Sequence, residues 1–255
     1  MDGFWETIED LAFPRWCAGC SVWDEYLCER CRAGFGSGWT RVEGRAPYLQ
    51  RVRSWDEGTS GLLYPGDDEA IFPVYALADY DGEVRKAIVS WKNSVSKGLT
   101  DAMVDLVAQR AGEIELGTAV SVVPAPSSWR RRHDGRLVAR HIARGLCAGI
   151  NGGVGASGSL GSGSELAVVD DVLTQGSTVS QLVTSRGRAR LSGRGRKARE
   201  IRVRRVPSHP QVILVDDVLT SGATLAGCAA ALAREGSEVC AAFVLAAARD
   251  PRGTR

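Results

Sequence analysis

The chain has 255 residues, 44% of them hydrophobic and 24% charged, which suffices for one substantial α/β core and a small additional module. A net charge of only +2 excludes a protein that coats nucleic acid by bulk charge, while leaving room for local basic clusters. The opening MDGFWETIEDLAF is acidic and no run approaches membrane-spanning length, so a cytoplasmic protein without membrane insertion is expected.

Residues 1–40 are rich in cysteine and aromatics and have too few aliphatic side chains to form a core unaided. Cys17, Cys20, Cys28 and Cys31 form C-x2-C-x7-C-x2-C, two knuckles that can close a tetrahedral Zn²⁺ site. Four thiolates leave no open coordination position, so such a metal is structural and supplies folding energy. An iron–sulfur cluster draws on the same ligand set. Cys147, Cys228 and Cys240 sit among aliphatic residues and are expected to be buried as small hydrophobes. Residues 41–70, with Gly, Arg, Trp and acids in no clear period, predict an irregular connector partly covering a main domain at 71–255.

In the main domain, IFPVYALADY predicts a strand and DGEVRKAIVSWK a turn into an amphipathic helix with Val84, Ile88 and Val89 inward. A second helix covers TDAMVDLVAQRAG. AVSVVPAP is a buried strand stopped by prolines, followed by a basic segment and a helix at 137–147. Residues 151–164 are a Gly/Ser linker. LAVVD is strand-like, and the Arg-rich segment at 185–205 holds ten Lys or Arg against one acid, Glu200, as a mobile cover. VILVD, an Ala-rich helix from about Thr224 and VCAAFVLAA complete the chain. Strands aliphatic on both faces and separated by helices predict a doubly wound, mostly parallel sheet, with ligands gathered after Val123 and Val215.

VILVDDVLTSGAT, residues 212–224, carries the chemistry. Asp216 and Asp217 stand where an aliphatic strand ends and offer acceptors to vicinal sugar hydroxyls. Thr220, Ser221, Gly222, Ala223 and Thr224 give hydroxyls and a small-residue backbone at a helix start, a cradle for phosphate. Together they describe a site for a 5-phosphoribosyl group. VDDVLT also occurs at 169–174; there Gln175 stands in place of the small Ser221, so the second copy is expected to be the pocket and the first a strand before the cover, with a second anion site as the alternative.

The segment resembles the signature of type I phosphoribosyltransferases. That resemblance implies a phosphoribosyltransferase fold, binding of 5-phosphoribosyl-1-pyrophosphate (PRPP) with Mg²⁺ on its pyrophosphate, and catalysis by Asp216 and Asp217. The four-cysteine knuckle, the YDGEVRKAIVSWKNSVSKGLTDAM stretch and VPAP at 123–126 together resemble the ComF family of competence-associated proteins. This implies a pyrophosphate side made by Lys92, Pro124, Ala125, Pro126 and Ser127, with Arg131 and Arg132 carrying charge in place of the family's Arg-Gly-Phe-Asn-Gln-like string. His133 and Asp134 read as solvated turn residues.

Two functions follow as expectations. One is transfer of phosphoribosyl from PRPP to an unknown acceptor. The other is a non-catalytic accessory role in DNA uptake, in which the basic segment and the knuckle meet single-stranded DNA or a helicase-like partner. No aromatic residue lies between Trp129 and Phe243, so base stacking would fall to Trp5, Trp16, Trp23 and Trp39.

Overall fold

A computed structural model of the chain describes residues 15–52, 68–126, 137–152, 165–175 and 201–249. Its centre is a six-stranded sheet. The elements in chain order are helix α1 (Glu29–Ala33), β1 (Thr40–Arg41), β2 (Gln50–Val52), β3 (Asp68–Ala70), β4 (Val74–Asp79), α2 (Gly82–Asn93), α3 (Lys97–Ala111), β5 (Val120–Pro124), α4 (Val138–Gly152), β6 (Ala167–Val169), β7 (Leu173–Gln175), β8 (Ile201–Val203), β9 (Gln211–Leu219), α5 (Ala223–Arg234) and β10 (Glu238–Ala247). The sheet order is β1-β4-β10-β9-β5-β6; β1 is antiparallel to β4 and the other five strands are parallel.

The α/β class and the mostly parallel sheet agree with the expectation from the aliphatic strands. VSVVP in β5 is buried throughout, as is the VILV run of β9, because helices cover both faces. Ile213, Val215, Phe243 and Leu245 pack with α2, α3 and α4, whereas Val212, Leu214, Ala242 and Val244 pack with α5. After β5 the chain crosses through α4 to β6 on one side; after β9 it crosses through α5 to β10 on the other. The order therefore reverses between β5 and β9, which opens a crevice at their carboxyl ends.

Several expectations need correction. Val89 is 39% exposed; Ala87 and Trp91 join Val84 and Ile88 on the inner face of α2, as the 3.6-residue period requires. The connector is not wholly irregular, since β1 pairs with β4 and β2 with β3. Asn151 and Gly152, assigned to the linker, finish α4; Asn151 accepts from the Leu166 and Ala167 amides and so fixes the start of β6. Residues 201–205 of the Arg-rich segment are not a mobile cover: β8 pairs antiparallel with β7, and Arg205 is held by Asp170. Residues 185–200 lie outside the described residues. Cys147 and Cys228 are buried, and Cys240 is half-buried with its thiol donating to the Val212 carbonyl at 3.3 Å.

Candidate functional site

At the crevice, Pro124 of β5 stands opposite Val215 of β9, and the Ala125 amide donates to the Val215 carbonyl at 2.7 Å. There β5 stops. β9 runs four residues further, to Leu219, paired only with β10. Asp216 and Asp217 are thus the sixth and seventh of nine strand residues rather than its tip, and successive strand residues face opposite ways. Asp217 takes the α2 side, where Lys92 Nζ approaches its Oδ1 to 2.9 Å with both side chains largely buried. Asp216 takes the α5 side; burial pushes the Cys228 thiol strongly up and the charge of Asp216 adds to that shift. The Asp217 amide donates to Asp216 Oδ1 at 2.8 Å, which ties the two acids through the backbone.

The turn that follows is hinged on Gly222, whose φ of +80° favours glycine and whose carbonyl accepts the Ala226 amide at 2.9 Å as α5 begins. A Cβ at Gly222 would stand 2.8 Å from Leu49 Cγ and 2.9 Å from Ala46 Cβ. The Tyr48 amide donates to the Ser221 carbonyl at 3.1 Å. The connector is therefore a wall of the turn, while Thr220, Ala223 and Thr224 stay exposed beside the amino end of α5, where the helix dipole favours an anion. Ala46, Tyr48 and Leu49 were not expected here. Their one sequence signal is the compact APYL run in an otherwise polar connector, which is too short to identify its partner.

The first VDDVLT copy does different work. Asp170 is 1% exposed and accepts from Ser121 Oγ at 2.7 Å, the Ser208 amide at 2.7 Å, Ser208 Oγ at 3.2 Å and Arg205 at 2.9 Å. Burial alone would raise its pKa, but the Ser208 and Ser121 donors and the Arg205 charge outweigh it and hold the carboxyl below its ordinary value. This acid clasps β6 to the segment entering β9 and has no capacity left for a ligand.

The four knuckle cysteines come together. Their sulfurs all lie within 4.8 Å of one another, a spacing that suits a tetrahedral metal site. The Cys28 amide donates to Cys17 Sγ at 3.3 Å, and a backbone amide contact at Val22 is the leading cause that lowers the Cys20 thiol to about 6, which favours the thiolate a metal needs. Gly19 is small by necessity, since a Cβ there would stand 2.7 Å from Cys31 Sγ. Among the described residues no other group of three His, Cys, Asp or Glu is placed to hold a metal.

Of the site residues expected from sequence, the fold gathers Lys92, Pro124, Ala125, Pro126, Asp216, Asp217 and the 220–224 turn along one carboxyl edge. Arg131, Arg132, Ser127, His133 and Asp134 lie outside the described residues. No helix among the described residues is long and apolar enough to cross a membrane. Compared with known proteins, the sequence matches no protein-family model and no curated protein.

Proposed function

We propose that the crevice between β5 and β9 binds PRPP, as in the ComF-type phosphoribosyltransferases the sequence resembles, and that the cysteine cluster holds a structural Zn²⁺. The observation that carries the first reading is the meeting, at one topological switch point, of the VPAP end of β5, the acids of β9 and the glycine-hinged turn into α5. In this reading the amides and hydroxyls of Thr220, Ser221 and Thr224 take the 5′-phosphate, and Asp216 and Asp217 lie along the ribose. Lys92 neutralises Asp217 in the free protein; an incoming pyrophosphate would compete for its ammonium and release the carboxylate. Two acids make no Mg²⁺ cage by themselves, which fits an ion that arrives with the substrate's phosphates and adds one or two protein carboxylates. When bound, Mg²⁺ would neutralise the leaving pyrophosphate. The protein's part is to hold the sugar phosphate rigidly and to support the positive charge that grows on the ribosyl centre.

Calorimetry tests this. PRPP with Mg²⁺ should bind the wild-type chain, and Asp216→Asn with Asp217→Asn should weaken it at least about ten-fold, roughly 1.4 kcal/mol, with an unchanged circular dichroism spectrum. Equal affinity in the double variant overturns the assignment.

A further inference from the structure

A second cavity, of about 410 Å³, lies where three helix ends meet: the last turn of α2, the first of α3 and the first of α4. Topology puts it on the carboxyl edge. Asn151, at the far end of α4, is bonded to the start of β6, so the first turn of α4 must lie at the carboxyl end of the parallel strands. α3 runs alongside in the same direction, since Gly145 faces the Val104 carbonyl and Gly149 that of Ala108. Lys92, next to Trp91 of the cavity wall, is the residue that reaches Asp217.

The lining is amphipathic in a particular way. Trp91, Val104, Leu137 and Val138 give apolar walls. Six polar side chains share the lining; Lys97 and Asp101 pair with each other, and Thr100 bonds Trp91 and the Ser96 carbonyl, which leaves Ser94, His141 and Arg144. Ser94 Oγ is buried and has no hydrogen-bond partner among the described residues, a destabilising state unless something fills it. Arg144 makes no ion pair or hydrogen bond among the described residues, whereas Lys97 is already paired with Asp101 at 2.8 Å. Burial, then Arg144 and Arg140, lower the His141 pKa against the opposing charge of Asp101, which favours the neutral ring with one donor and one acceptor. A wholly apolar occupant would leave the buried Ser94 hydroxyl unmet and make no use of the Arg144 charge at the rim, and a lone phosphate would leave the Trp91 and Leu137 walls uncovered. The volume lies in the range of small-molecule sites and admits a single-ring acid with room to spare.

We propose that this cavity binds a small aromatic monocarboxylate, its ring against Trp91 and Leu137 and its carboxylate on Arg144, and that this acid is the phosphoribosyl acceptor. The second half rests on the PRPP reading above; the first does not. For an amino-substituted acid, the nitrogen lone pair forms the bond to C1′ as the C1′–O bond breaks. Pyrophosphate leaves with that electron pair, and the proton lost from the amine passes to solvent.

The test titrates the full chain with benzoate, 2-aminobenzoate, 4-aminobenzoate and benzamide. The acids should bind at least about ten-fold more tightly than the amide, a charge-assisted contact being roughly twice as strong as a neutral one. Arg144→Gln should abolish that preference; Arg144 is exposed, so the variant should keep the wild-type circular dichroism spectrum, which is recorded alongside. Equal binding of acid and amide, or a preference that survives Arg144→Gln, overturns the site. PRPP and Mg²⁺ are then added. Pyrophosphate release that requires either aminobenzoate supports the acceptor role, whereas bound PRPP and bound aminobenzoate without release overturn it. Failure of PRPP to bind, with the acid preference intact, overturns the phosphoribosyl reading and leaves the carboxylate site standing.

Discussion

Asp170 and Asp216 show how far identical residues can diverge. Both open the dipeptide of a VDDVLT string, yet Asp170 is sealed by four donors and Asp216 borders the crevice. Sequence pointed to the second copy through the small Ser221. The deciding partners of the first, Ser121, Arg205 and Ser208, lie 49, 35 and 38 residues away and leave no local trace. Because the folded carboxyl sits below its ordinary value of 3.8, its contribution is fully present above that pH and is lost as pH falls through the lower, folded value. Asp170→Asn should therefore cost roughly 2 kcal/mol at pH 7, since hydrogen bonds to a charged group are each worth about 1.5–3 kcal/mol. Urea titrations at pH 7 and pH 3 measure this: the gap between wild type and variant should shrink at the lower pH. A gap that stays constant would show that Asp170 makes no charge-dependent clasp.

At the scale of elements, the aliphatic runs VSVV and VILV were legible as strands because a doubly covered sheet demands them. The extension of β9 through Asp216 and Asp217 was not. It exists because β10 continues alongside while β5 has already stopped at Pro124, a fact about neighbours rather than about the residues themselves. The close contact of α3 and α4 was equally hidden in two unremarked glycines. At Gly149 an added Cβ would overlap the Ala108 carbonyl oxygen and stand 2.7 Å from Ala111 Cβ. Alanine gains about 1 kcal/mol of helix propensity over glycine, but overpacking against a backbone that cannot yield costs about 1–3 kcal/mol. Gly149→Ala should thus lower stability, by about 1 kcal/mol net, while Gly152→Ala, with nothing within 4 Å, should not. Thermal melts of the two variants provide the check; equal melting temperatures would mean the helices can separate freely.

Across the whole molecule, the knuckle is part of the main core. Cys17, Leu27, Cys28, Cys31 and Phe35 belong to the same apolar cluster as Ile88, Trp91, Met103 and Leu106. Tyr26 lies so close over Gly98, at the start of α3, that a Cβ there would overlap its ring. Trp39 donates to the Arg110 carbonyl at 2.9 Å and packs edge-on against Phe243 of β10. Four uncompensated thiols at the centre of these contacts cannot hold them, because the segment's buried apolar side chains all belong to the cluster shared with α2 and α3, while Trp16, Val22 and Trp23 lie exposed. Removal of the proposed Zn²⁺ by a chelator should therefore lower the melting temperature of the entire domain in one transition, and should raise amide exchange in α2 and α3 as well as in the knuckle. The same disturbance reaches the candidate sites, since α2 carries both Lys92 to Asp217 and Trp91 to the second cavity. Loss of metal with no change in melting temperature, or with faster exchange confined to residues 15–35, would mean that the knuckle docks on a core that stands without it.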